Sequence, residues 1–289
     1  MRDKGTVFFS ILSMLIVLGL MVLFLGNMNS ENILEVLQQW GGVRNLEEDK
    51  ENAEYLVQMW TLAGILIVNS VTVTMTVMGN MIKDDAQNRL FSFYIAPIRR
   101  GQIALGYILS AWIIGVMMCL FTLAVAQGYM AITGAKLLSV TAWLQLTGMI
   151  FLNTFVYAAI AYFVALFVHS ESSWSGLLTV IGTLVGFVGG IYLPMAMLPE
   201  KVVDILKCLP VLHGAAMMRV VCVEEAVKET FADMPEEVIT AFQENMGITI
   251  TFDGKMVSLQ MQFAYLILLS ILVIAAAVLI SKKKEMHDR

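Results

Sequence analysis

The chain has 289 residues, 58% of them hydrophobic and 14% charged, with a formal net charge of −5 and a mean hydropathy of +0.78. Soluble domains carry about 25% charged residues, so this composition, gathered into long apolar runs, excludes an ordinary soluble domain and marks an integral membrane protein. The net charge says nothing directly about nucleic acid, but no Arg- or Lys-rich patch lies away from the run ends, so no nucleic-acid partner is expected, and three cysteines do not make a disulfide framework.

The first apolar run, residues 6–26, follows Arg2 and Lys4. It exceeds the 7–15 residues of a signal-peptide core and is followed by Asn27, Met28 and Asn29 instead of a small-x-small site, so it reads as a retained span. About 20 apolar residues rising 1.5 Å each cross a hydrocarbon core of roughly 30 Å. Residues 27–56 are polar, with Glu31, Glu35, Glu47, Glu48, Asp49, Glu51 and Glu54 set against only Arg44 and Lys50. Further runs follow at 57–82, 102–126, 141–168 and 174–193, with a polar stretch at 83–101, a short loop holding Lys136 and a tight link from His169 to Ser173.

Residues 194–221 are apolar but broken by Pro194, Pro199, Pro210 and the pair His213-Gly214, and they carry Lys201, Asp204, Lys207 and Arg219. Two short helices that dip into the membrane and return fit this pattern, since irregular backbone is tolerated at depth when protein or water covers it. An amphipathic surface loop is the alternative. In the outer loop 222–258, Asp233, Pro235 and Gly247 frame a short helix over 235–246. The pair Asp253-Gly254 between 248–252 and 255–257 reads as a β-hairpin. The last run, 259–281, stops at Lys282, Lys283 and Lys284. The expectation is one all-α transmembrane domain over residues 1–289 with six spans.

Orientation follows the Lys and Arg residues that flank the spans. With the N-terminus inside, the short cytoplasmic segments hold Arg2, Lys4, Lys83, Arg89, Arg99, Arg100, Lys282, Lys283, Lys284 and Arg289, against a sparser set on the long acidic outer segments. Both termini are therefore expected in the cytoplasm of a multi-pass plasma-membrane protein. Cys208 and Cys222 then share the outer side, where a bridge between them stays open.

The stretch 83–101 begins with Lys83, Asp84 and Asp85. Leu90, Phe91, Tyr94 and Ile95 follow at i, i+1, i+4, i+5, one face of a helix. Pro97 stops it, since the residue before a proline is pushed out of the helical region, and Arg99 and Arg100 close the segment. Such a helix either lies on the lipid surface or docks on a soluble partner. No phosphate-binding loop, zinc-binding helix motif, paired-cysteine motif or nucleophile elbow occurs, and His169, His213 and His287 are scattered. His213 reads as a packed or capping residue. Inside the runs, away from their edges, there is no Asp, Glu, Lys, Arg or His. Proton- and ion-coupled carriers usually need such groups at depth, so the energy for any transport comes from elsewhere.

Two intramembrane patterns remain. Asn69, Thr72, Thr76 and Asn80 form one polar stripe, either interhelical glue or the lining of a pathway. Gly182, Gly186 and Gly190, with Gly189 beside them, allow close approach of another backbone, whether within the subunit, between subunits or at a mobile gate.

Across nearly its whole length the chain resembles the permease subunits of type-2 ATP-binding-cassette (ABC) exporters. The six-span layout carries the resemblance, with Asp84-Asp85, the helix Leu90 to Ile95, Pro97 and Arg99-Arg100, and then Gly190, Pro194, Pro199, Pro210 and Arg219. It implies that residues 84–96 are a cytoplasmic coupling helix docked on a separate ABC ATPase, and that 194–221 is a re-entrant helical pair near the outer surface. It also implies a non-enzymatic transport subunit, paired with a second copy or a related permease chain, exporting a drug, peptide, lipid-linked or saccharide substrate. ATP and magnesium would sit on the ATPase, with no cofactor or metal on this chain. Two departures stand out: Asn88-Arg89 replaces a common Gly-Thr pair, and the amphipathic helix that usually precedes the first span is either missing or lies beyond a truncated start. The rival reading is a membrane sensor or scaffold whose acidic outer loops bind a ligand or protein.

Overall fold

Asn45 opens the longest helix of the protein. Its side chain accepts the backbone N–H of Glu47 at 3.2 Å, and Glu47, Glu48 and Asp49 place negative charge on the positive end of the helix dipole. The computed structural model describes residues 26–40, 45–89, 100–232, 234–252 and 254–287, with side chains from Ser30 to Ser281 apart from Arg100. The first apolar run and the apolar face at 90–95 lie outside these residues.

The described chain runs α1 Gly26–Trp40, α2 Leu46–Ala86, α3 Arg100–Thr133, α4 Val140–Ala165 and α5 Glu171–Val188. A 3-10 turn at Met195–Met197 leads into α6 Glu200–Lys207, α7 Pro210–Thr230, α8 Glu236–Asn245, strands β1 Thr251–Phe252 and β2 Lys255–Met256, and α9 Leu259–His287. Among the described residues five helices are long and apolar enough to cross a membrane: α2, α3, α4, α5 and α9. They match the five expected spans from 57 onward. Helices α6 and α7 form a bent pair, 86° at their break.

Several boundaries differ from expectation. The described residues of 27–56 are not an extended polar loop: α1 lays Ile33 and Leu37 into the core against α2, and α2 begins at Leu46, eleven residues before the apolar run that starts at 57. The polar composition hid this because Ala53, Tyr55 and Leu56 are buried at helical spacing between exposed acids. At 41 residues α2 is about 60 Å long, twice the hydrocarbon thickness. Span three extends to Thr133, and span five is Glu171–Val188, since Ser170 caps its start through the Ser173 N–H at 3.1 Å. The broken region does not end at 221: α7 continues to Thr230, nine residues into the expected outer loop.

Helix α2 is the central post, packed by α1, α3, α4, α5 and α7. Met59, Trp60, Leu66, Ile67 and Met78 are fully buried along it. Helices α5 and α9 lie at the periphery, with Val180, Leu184 and Phe187 on one and Leu268, Ile271, Leu272 and Leu279 on the other exposed, as lipid-facing surface requires. At one end of the post α1, α6, α7, α8 and the hairpin gather into a cap. Thr230 Oγ1 donates to Asn52 O at 3.2 Å, Lys136 pairs with Glu229 at 2.6 Å, and Phe231 packs on Phe242. The β-hairpin pairs Thr251 with Met256 and Phe252 with Lys255 across the expected turn. The cap residue expected for α8, Asp233, lies outside the described residues; Pro235 stands at its N-cap.

Candidate functional site

At the end of α2 opposite the cap, Asp84 and Asp85 sit in the last turn of the span, not in a separate helix beginning at 84. The break falls at Gln87 and Asn88. Asn88 has φ 55°, and its N–H reaches Asp85 O at 2.9 Å. Left-handed backbone at a helix end favours glycine, and Asn is the side-chain-bearing residue that best tolerates it. That gives a physical reason why Asn88 can stand where the resemblance has a glycine. Asp84 is held on two sides: Tyr107 Oη of α3 donates to its Oδ2 at 2.8 Å, and Arg89 Nη1 lies 3.4 Å from its Oδ1. Asp85 is exposed. Leu90, Phe91, Tyr94, Ile95, Pro97 and Arg99 lie outside the described residues; Arg100 is the first residue of α3. The segment is thus tied to both flanking spans at its start.

The polar stripe on α2 divides in two. Asn69 is buried and donates to Thr122 Oγ1 of α3 at 2.8 Å, an interhelical bond. Thr72 is half-buried, while Thr76 and Asn80 are exposed. The Thr72 and Thr76 hydroxyls donate to Val68 O and Thr72 O of their own helix, at 2.9 and 2.7 Å. Their donors are satisfied without a neighbour, so a polar-edged face can stand open at membrane depth without a stranded donor.

The glycines do not form one helical stripe. A Cβ at Gly182 would meet nothing within 4 Å, whereas at Gly186 it would lie 2.2 Å from the Tyr192 ring. What approaches Gly186 closely is a side chain four residues past the helix end, not another backbone. Gly190 is outside the helix altogether, at φ +60°. Its N–H bonds Phe187 O at 3.0 Å and the Ile191 N–H bonds Gly186 O at 2.8 Å, the paired bonds of a Schellman helix end. Gly247 ends α8 identically, at φ +63°, with Gly247 N–H to Glu244 O at 3.0 Å and Ile248 N–H to Gln243 O at 2.8 Å.

The three prolines of the broken region each open a helix: Pro194 the 3-10 turn, Pro199 helix α6, and Pro210 the first position of α7. His213 acts as a cap, with Nε2 2.8 Å from Lys207 O at the end of α6, and its ring packs on Tyr265, whose hydroxyl donates to Cys208 O at 2.8 Å. All three cysteines are free; Cys208 is exposed and Cys222 buried, which leaves no bridge between them. Arg219 is completely buried. Its Nη2 donates to Gly190 O at 2.8 Å and its Nη1 to Gly247 O at 3.0 Å. The guanidinium carbon lies 4.6 Å from the centre of the Trp60 ring, and Trp60 Nε1 donates to Met246 O at 2.9 Å.

This arrangement joins a long post, a tethered polar break at one end and a capped, proline-segmented bent pair at the other. A profile of the ABC-2 family transporter proteins matches residues 42–281. The chain belongs to the ABC-2 transporter family. No curated protein and no solved structure matches it. It is thus a permease subunit of an ABC transporter, a multi-pass membrane component, and membership implies association with an ABC ATPase.

In this ABC-2 subunit Tyr107, Trp60 and Thr122 hold Asp84, Arg219 and Asn69, and no sequence motif marks them. Each lies within or beside an apolar run, where an aromatic or a lone hydroxyl passes for ordinary span composition. The signal that was available is the polar tip itself: a buried Tyr or Trp normally finds a partner for its O–H or N–H.

Proposed function

We propose that this permease subunit carries substrate outward, powered by ATP hydrolysed on two separate ATPase subunits that hold ATP and magnesium. It pairs with a second copy or a related permease chain in the plasma membrane, with both termini cytoplasmic. The observation that carries the reading is the tether of Asp84 to Tyr107 and Arg89. A docking element must pass force to the spans, and this one is fastened to α3 where it leaves the central post α2. Leu90, Phe91, Tyr94 and Ile95 supply the apolar face for a groove on the ATPase, bounded by Asp84, Asp85, Pro97, Arg99 and Arg100. The polar edge of half-buried Thr72 and exposed Thr76 and Asn80, on the same helix as the interhelical bond of Asn69, lines the path of an amphipathic substrate of the drug, peptide, lipid-linked or saccharide class. The bent pair α6–α7, opened by Pro199 and Pro210, is re-entrant at the outer surface.

Helix-in-groove contacts concentrate their energy in a few aromatic anchors, and losing a central one commonly costs about 2–4 kcal/mol, roughly 30- to 1000-fold in affinity. Phe91→Asp and Tyr94→Asp, expressed with the ATPase, should insert normally, lose co-purification and lose substrate-stimulated ATP hydrolysis. Retention of the ATPase and of stimulation in both variants would show that this helix lies on lipid instead.

A further inference from the structure

Among the described residues no carboxylate pairs with the buried guanidinium of Arg219. A fully buried arginine needs negative potential beside it, and here it comes from backbone. Both carbonyls it binds belong to the left-handed glycines that end α5 and α8, so the cation sits at the negative ends of two helix dipoles. The Trp60 ring face covers it, and the Trp60 N–H takes the neighbouring carbonyl of Met246. The glycines serve twice, through their φ and through their missing side chains. A Cβ on Gly247 would lie 3.0 Å from Arg219 Nη1, and one on Gly190 2.2 Å from Met195 Cε. One side chain of α7 therefore fastens the end of span five and the end of the cap helix α8 to α2 through Trp60.

We propose that Arg219 is a positioning residue that makes the turn after α5, the end of α8 and the central post α2 a single body. Without it the two glycine turns are hinges. With it, the cap and the outer end of span five follow α2, the same helix that leads at its other end into the proposed ATPase-docking segment. The consequence for transport rests on that docking reading; the clamp itself does not.

Hydrogen–deuterium exchange on the purified full chain in lipid nanodiscs, without ATPase, separates the two. The amides of Gly190, Ile191, Gly247 and Ile248 are all hydrogen-bonded in these turns and report on them directly. Arg219→Gln is expected to speed exchange at least ten-fold in peptides covering 189–198 and 246–252, with α3 and α4 unchanged. Trp60→Phe keeps an aromatic face but removes the donor to Met246 O, and should loosen 246–252 alone. Arg219→Lys, with the charge but no fork to span two carbonyls, should loosen both turns by a smaller factor, and it carries the test if Arg219→Gln does not insert. Exchange within two-fold of wild type at both turns in the arginine variants overturns the proposal. So does an equal rise across α3 and α4, which would make Arg219 a general core residue.

Discussion

Gly214 lies where α7 packs tightly on α2 and α4, and one added methyl group there has a sign that can be worked out. A Cβ on Gly214 would lie 2.2 Å from Asn153 Oδ1 and 2.6 Å from Ile67 Cδ1. Ordinary contacts between such atoms are about 3.5–4 Å. Both neighbours must shift inside a filled core: Ile67 and Asn153 are fully buried, and the Asn153 amide is tethered through Nδ2 to Met149 O at 3.0 Å. Against the overlap stands the helical preference for Ala over Gly, about 1 kcal/mol. Overpacking a close-packed site costs about 1–3 kcal/mol, so Gly214→Ala should be neutral to roughly 2 kcal/mol less stable. Gly176→Ala in α5 is the control, since a Cβ there meets nothing within 4 Å. The helical preference is common to both variants, so the difference between them isolates the overpacking, about 1–3 kcal/mol. Unfolding of the purified full chain, followed by tryptophan fluorescence in nanodiscs, reads both. Equal stability of the two variants would refute the close approach of α7 to the post.

Four further outcomes are expected. Tyr107→Phe removes a hydrogen bond to a carboxylate that is 27% exposed; such bonds contribute about 1.5–3 kcal/mol when buried, so a loss nearer 1 kcal/mol and faster proteolysis within 84–100 should follow, and unchanged proteolysis would show the tether to be idle. Replacing Thr72 and Thr76 with Val removes hydroxyls bonded only to their own helix, so expression should hold while substrate preference shifts; falling expression with unchanged preference would make them structural. Gly186→Leu must displace the Tyr192 ring from 2.2 Å, at about 1–3 kcal/mol, and should lower stability in monomer and dimer alike; selective loss of the dimer would place this face between subunits. Single cysteines at positions 50 and 245 in a cysteine-free background should label with an impermeant reagent in intact cells and one at 88 only after lysis, whereas labelling of 88 from outside would reverse the orientation.

Much of the architecture is carried by local chemistry and is therefore legible in the residues themselves. Twenty apolar residues in a row have one stable place in a cell, and the five runs from 57 onward became five long helices. Gly247 ends α8 and Gly254 stands in the turn that joins two strands because left-handed backbone asks for glycine wherever it occurs. The prolines at 199 and 210 open helices because they lack an N–H that the first turn does not use. The docking face at 90–95 rests on spacing alone. Other features had no local signature. The polar residues 46–56 belong to α2 because α1 and α7 pack against that end of the post, and a partner helix cannot be seen from the segment it covers. The glycine pattern read as one stripe was split by a helix end, with a tyrosine folded back on it. Arg219 read as one charge in a broken stretch. Its burial depends on carbonyls 29 residues before and 28 residues after it, and on the face of Trp60. Every residue has a carbonyl, so no side-chain pattern announces which two will converge; only the packing of α5, α7 and α8 around α2 decided that.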